Sequence, residues 1–341
     1  MVRSRGYNNY RGRRSRGKAA IAALLILVIL VAVVVILLQR NIIYDETGTP
    51  RLEVPWQGET TEEETPSTGL DLVIQTPEKT VGEIHGFRLS VGQLTRERYD
   101  SFIAGADPSH DAVAVVLKDE DGTVYFDAAA AVSESVEIAE DTVEVLAELT
   151  ASETLHTIAQ ISCFRDPKAA KADPEGMGLK NTGGYLFYDG NNSQWLDPSK
   201  PAARQYVCDL ATEAAELGFD EILLTGFGYP SVGELDQIAY GEAAKNVNLL
   251  TFLQELRTAL EPYDTVISVE LSSDLITTGQ EEVTGLVLAE ILPEVDRVCA
   301  VAMPEETDGL SAALKAVRED IEFVPILEER DPSAAGSWLL N

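Results

Sequence analysis

The sequence predicts an α/β fold, specifically a (β/α)8 TIM barrel, on three observations. Short apolar runs alternate with amphipathic helical stretches, which is the rhythm of a parallel sheet wrapped by helices. That rhythm fills the chain from residue 81 onward, close to the ~250 residues of an ordinary barrel. No glycine-rich phosphate loop follows the first apolar run, which weighs against a doubly wound open sheet.

Taken in order, the expected strands are His85–Val91, Ala112–Lys118, Thr157–Phe164 and Glu221–Thr225, then Val266–Leu271, Arg297–Met303 and Phe323–Glu328. Runs such as AVAVVLK and EILLT are apolar on both alternating faces, as strands buried between helices and a barrel interior must be. The helix in ARQYVCDLATEAAELG places Val207, Leu210, Ala211, Ala214 and Leu217 on one face and stops at Gly218. NLLTFLQELRTALEP does the same with Leu249, Phe252, Leu253, Leu256 and Leu260, ending before Pro262. Further helical stretches are expected near Thr95–Ala104, Asp141–Glu153, Glu281–Leu292 and Gly309–Glu319. Only residues 329–337 precede the last apolar run, Trp338–Asn341. A crossover with its own helix needs at least ~10 residues, so the barrel is expected to be shortened at its C-terminal end.

The N-terminal region is of another kind. Residues 1–18 hold seven Lys or Arg and no acid. Ala19–Leu38 are 20 uncharged residues, long enough to cross a ~30 Å hydrocarbon layer. Gln39-Arg40-Asn41 follows directly without a small-residue cleavage pattern, so the segment is expected to be an uncleaved transmembrane anchor. The preceding arginines place the N-terminus in the cytoplasm and the remainder outside. Residues 39–80 are rich in Thr, Glu, Pro and Gly and read as a flexible extracellular stalk, leaving 81–341 for the barrel domain.

Beyond residue 18 the chain has 19 basic against 57 acidic residues, a balance of −38. A surface this acidic argues against nucleic acid as a partner. Cys163, Cys208 and Cys299 lie in apolar segments without CxxC spacing and read as buried thiols. His85, His110 and His156 are scattered, so no metal centre and no cofactor is expected.

Four segments, VLKDEDGTVYFD (Val116–Asp127), CFRDPKAAK (Cys163–Lys171), WLDPSKPAARQY (Trp195–Tyr206) and GFDEILL with the later Pro230, occur in an order that resembles one family. VDRVCAVAMP (Val295–Pro304) is a looser match. The family is the glycoside-hydrolase-like domain of bacterial surface proteins, a TIM-barrel group related to the alpha-amylase-type enzymes. The resemblance implies carbohydrate, including a glycan of the cell envelope, as the ligand. It also marks departures. Thr225 stands where the family's fourth strand ends in Asp, and Gly228 where an Arg follows. Val116 takes the place of an Asp on the second strand, and Glu305-Glu306 the place of a Ser-His pair. The resemblance therefore implies a family frame whose inherited site is emptied or rebuilt.

Glycoside hydrolysis needs two carboxyl groups facing each other across the bond. Glu270, one residue before the end of its apolar run, is the best-placed acid, and burial among apolar neighbours would raise its pKa as a general acid requires. Asp119 and Asp166 follow their strands directly and are further catalytic candidates, although KDEDG also reads as a turn and Asp166-Pro167 as a loop entry. Lys118 and Arg165 are the basic neighbours expected to pair with Glu270 or to contact substrate. Tyr185, Tyr188 and Trp195, in the long loop after the third strand, and Tyr229 offer ring faces for stacking on a sugar. Glu328 is a further substrate-binding candidate; with Glu305, Glu306 and Glu329 it forms an acidic cluster that could hold calcium or supply the missing acids, although without EF-hand spacing it reads more readily as a solvated rim. A structural or interaction role in the envelope is the alternative to a carbohydrate-active barrel.

Overall fold

The computed structural model describes residues 81–89, 94–105, 107, 109–329 and 336–341, together with two short N-terminal strands. These two, Ile42–Tyr44 and Pro50–Leu52, pair antiparallel and lie within the stretch expected to be an open stalk. The apolar segment Ala19–Leu38 and most of the stalk lie outside the described residues. Among the described residues, no helix is long and apolar enough to cross a membrane.

Residues 77–341 form the second compact unit. Its sheet is a closed barrel of eight parallel strands. In chain order they are β1 (His85–Leu89), β2 (Ala112–Lys118), β3 (His156–Ser162), β4 (Glu221–Thr225), β5 (Val266–Glu270), β6 (Arg297–Val301), β7 (Glu322–Leu327) and β8 (Trp338–Leu340). Each lies within two residues of its expected start. The expected shortening takes a particular form: the wall is complete, because β8 pairs both with β7 and with β1. No helix lies between β7 and β8 among the described residues.

The helices are α1 (Arg96–Gly105), α2 (Thr142–Thr150), α3 (Pro167–Ala172), α4 (Pro201–Glu216), α5 (Lys245–Leu260), α6 (Ser273–Thr278), α7 (Leu288–Ile291) and α8 (Thr307–Val317). Helix α4 opens on Pro201, whose missing N–H costs nothing in the first turn. It ends before Gly218, whose φ of +97° suits a residue without Cβ. Of its expected inner face, Val207, Leu210, Ala211 and Ala214 are buried, whereas Leu217 is exposed beyond the last turn. Helix α5 buries all five of its expected apolar positions.

Two apolar layers result. One fills the space between barrel and helices; the other lies inside the barrel, where Ala112, Ala114, Ile158, Leu223, Cys299, Val324, Ile326 and Leu339 meet with Ile84. The three cysteines are buried and unpaired. Below the inner layer, Glu221 and Arg297 form an enclosed ion pair, and His156 Nε2 lies 2.8 Å from the same carboxylate oxygen. Burial by itself would push Glu221 up; Arg297 and His156 overcome it and hold the carboxyl below its ordinary range. The pair plugs the barrel interior beneath the inner layer; a concavity lined by Ile84, His156, Asp220 and Arg297 lies at the N-terminal strand ends, and a second opens at the C-terminal ends.

Candidate functional site at the barrel mouth

A cavity of about 480 Å³ opens at the C-terminal ends of the strands. Its wall follows from alternation along each strand. Arg88 of β1, Val116 of β2, Gln160 of β3, Thr225 of β4 and Glu270 of β5 all line it. The loop after β2 adds Asp119, Glu120, Asp121 and Tyr125, and Arg165 enters from the loop after β3.

Glu270 is the acid most enclosed by this arrangement. Its partner is neither Lys118 nor Arg165 but Arg88, from the strand opposite in the ring, whose Nη1 donates to Glu270 Oε2 at 2.7 Å. The same guanidinium donates through Nε and Nη2 to Asn341 Oδ1 at 3.0 and 2.8 Å, and Asn341 Nδ2 donates to Glu328 Oε1 at 3.1 Å. Burial raises the Glu270 pKa, Arg88 opposes the rise without cancelling it, and Glu120 adds to it. Asp119 is tied into its own turn. Its Oδ1 accepts from the Asp121 and Thr123 backbone N–H groups at 2.9 and 2.8 Å, and its Oδ2 accepts from the Tyr125 hydroxyl at 2.7 Å.

Other expected site residues serve elsewhere. A register shift between Val116 and Lys118 bulges the end of β2. Beyond it, Lys118 is fully buried, with Nζ 2.7 Å from the Ser162 carbonyl and 3.0 Å from Asp166 Oδ2. Asp166 is equally buried, and its Oδ1 caps α3 by accepting from the Ala169 N–H at 2.8 Å. This enclosed pair offers no surface to a substrate. Arg165 is paired with Glu120 at the cavity rim.

The aromatic candidates do not line the cavity. Tyr229 is buried, its hydroxyl accepting from Asn248 Nδ2 at 2.9 Å. Trp195 donates through Nε1 to Asp189 Oδ2 at 2.9 Å, which folds the long loop back on itself. Tyr185 and Tyr188 point outward, 76% and 51% exposed. Glu328 is exposed and bound to Asn341. Among the described residues, no group of three or more His, Cys, Asp or Glu side chains is placed to hold a metal ion. The residues that sequence reasoning missed are Arg88, Glu120, Asp121, Tyr125, Gln160 and Asn341. Period-two alternation from Gly86 and Ile158 carries a signal for Arg88 and Gln160.

A closed parallel barrel with a polar cavity at the C-terminal strand ends is the architecture of the TIM-barrel enzymes. The chain belongs to the family described as "Putative glycosyl hydrolase domain", whose profile matches residues 91–316. Among solved structures it is similar to a hypothetical protein from Ruminiclostridium thermocellum, at 25% identity over 54% of this chain and 96% of that one, with a TM-score of 0.46. It is also similar to the PgaB (BpsB) glycoside hydrolase domain from Bordetella bronchiseptica, at 17% identity over 72% and 84% of the two chains, TM-score 0.49. The PelA glycoside hydrolase domain from Pseudomonas aeruginosa is similar at 17% identity over 72% and 84%, TM-score 0.41. No curated protein matches the chain.

Proposed function

We propose that this is a membrane-anchored extracellular barrel that binds carbohydrate at its mouth and hydrolyses it slowly or not at all. The observation that carries the reading is the state of the cavity's acids. Glu270 has the raised proton affinity that suits a general acid. Asp119, in the turn after β2, has both oxygens engaged by that turn, and Glu120 beside it is tied to Arg165. Val116 and Thr225 stand on the cavity wall at the two positions where the family resemblance calls for Asp. Hydrolysis draws most of its rate from interactions made in the transition state, so losing one carboxyl of the pair removes catalysis more completely than binding. Anchoring is supported by the uncharged run Ala19–Leu38 behind an arginine-rich tail.

The test uses the full chain purified in detergent against a panel of neutral and acidic oligosaccharides. Binding should be seen, with turnover at least about a hundredfold below the ~1 s⁻¹ lower end of ordinary enzymes. Turnover at an ordinary rate, lost on Glu270→Gln, would overturn the inactive reading and make Glu270 the acid. Neither binding nor turnover across the panel would move the protein to a structural role.

A further inference from the structure

Val81–Ile84 line the concavity at the N-terminal strand ends, immediately before β1. The bonds of this entry segment reach well beyond β1. The Gly82 carbonyl accepts from Arg297 Nη2 at 2.7 Å, which ties the segment to β6. Arg297 is itself almost wholly buried and is held by Glu221 of β4. Two residues on, Ile84 N–H donates to Ser337 Oγ at 3.1 Å, and the Ser337 hydroxyl donates to Glu322 Oε1 at 2.5 Å. The Ile84 carbonyl accepts from Trp338 N–H at 2.9 Å, and its side chain joins the inner apolar layer with Leu339. The strand so held is the slightest in the wall. β8 has three residues and meets β7 through two registered pairs. At its other end Asn341 N–H donates to the Leu327 carbonyl at 2.9 Å, and Asn341 Oδ1 accepts from Nε and Nη2 of Arg88. One short strand therefore has the entry segment at one end and, at the other, the guanidinium that pairs with Glu270.

We propose that Val81–Ile84 act as a strap: gripped by Arg297 and Ser337, the segment holds β8 in the wall and, through Asn341, fixes Arg88 across the mouth. Proteins open locally where few ladder bonds and buried contacts hold the backbone, and β8 is that place in this barrel. With the strap gripped, β8 is bonded to Ile84 as well as to its two neighbours. Once the grip is lost, only the short ladders remain. The coupling has a physical carrier, one strand with a held and a loosened state, and it acts in both directions. Drawing the entry segment away from Arg297 loosens the mouth; a ligand that fixes Arg88 tightens the strap.

Hydrogen exchange read by NMR on the full chain in detergent compares the parent with Ser337→Ala, with the double variant Glu221→Gln/Arg297→Met, and with Asp296→Asn. Replacing Glu221 and Arg297 together removes the grip on Gly82 without leaving a lone buried charge. Asp296 also lies at the N-terminal strand ends, bonded to Ile267 N–H and Arg257, and makes none of the strap's bonds. In the first two variants the Trp338 and Asn341 amides should exchange at least about tenfold faster, with those of β2 to β5 within about twofold of the parent. The Arg88 Nε–H should exchange faster in the same two variants, and Asp296→Asn should leave both readouts at the parent rate. Equal acceleration in every strand would make these residues general supports of the fold and overturn the strap. So would β8 amides at the parent rate, or a faster β8 with Arg88 unchanged. If the double variant does not fold, Ser337→Ala decides alone by the same outcomes.

Discussion

Arg88 spans the mouth. From β1 it reaches Glu270 on the opposite strand, and its remaining donors are fixed by Asn341. Both its charge and its hydrogen bond lower the Glu270 pKa, against the rise that burial imposes. Replacing Arg88→Met should therefore raise the Glu270 pKa further, as read from its carboxyl carbon by NMR; an unchanged titration would show that the pair does not persist in solution. The stability consequence has a definite sign. A carboxyl whose pKa is higher in the folded state favours the fold most at low pH, and this contribution is lost as pH rises through the raised value. The variant should lose relative stability over a window that extends to higher pH than in the parent. Little of this was legible in the sequence. HGFRLSV puts Arg88 on the face of Gly86, but its partner lies 182 residues away and only barrel closure brings the two together. Lys118 and Arg165, the nearer cations by strand order, are already satisfied by Asp166 and Glu120.

Elements were far more legible than site residues, and the reason is physical. A strand buried on both faces leaves a local apolar run, so Ala112–Lys118 and Glu221–Thr225 coincide with their expected limits. The stretch Glu281–Leu292 did not behave as one helix: Gln280–Glu281 and Leu286–Val287 form a small antiparallel ladder before the single turn of α7. The β-branched Val283 and Thr284 beside Gly285 favour such a turn over a helix. Short α3 and α6 were missed because each is made by its cap, Asp166 and Ser272, rather than by an apolar period. Gly86 shows what fixes a strand in place. A Cβ there would lie 1.8 Å from the Ala112 carbonyl oxygen, so β1 and β2 can approach only at glycine. Gly86→Ala should destabilise the barrel by at least about 3 kcal/mol in urea denaturation, because backbone rather than a flexible side chain must move. A loss under about 1 kcal/mol would mean that β1 shifts freely against its neighbour.

At the scale of the whole molecule, charge divides the chain. Seven cations precede Ala19–Leu38, and the remainder carries 19 basic against 57 acidic residues. Positive residues held at the cytoplasmic side of an apolar segment set its orientation, while acidic residues contribute little to that choice. On the proposed topology the barrel would stand outside the cell, with its mouth cavity open to extracellular ligands. The residues between the apolar run and the barrel combine Thr, Glu, Pro and Gly, a composition of the kind proteases cut readily. Protease added to intact cells should release a fragment that begins between residues 45 and 80 and retains the barrel, since β1 to β8 and the helices around them bury their backbone. Mass spectrometry of the medium would identify its first residue. Full protection on intact cells, with cleavage only after lysis, would put the barrel on the inner side. A mature chain starting just after Leu38 would instead mean that the apolar segment is removed and the barrel released, leaving the arginines to act as a leader rather than an anchor.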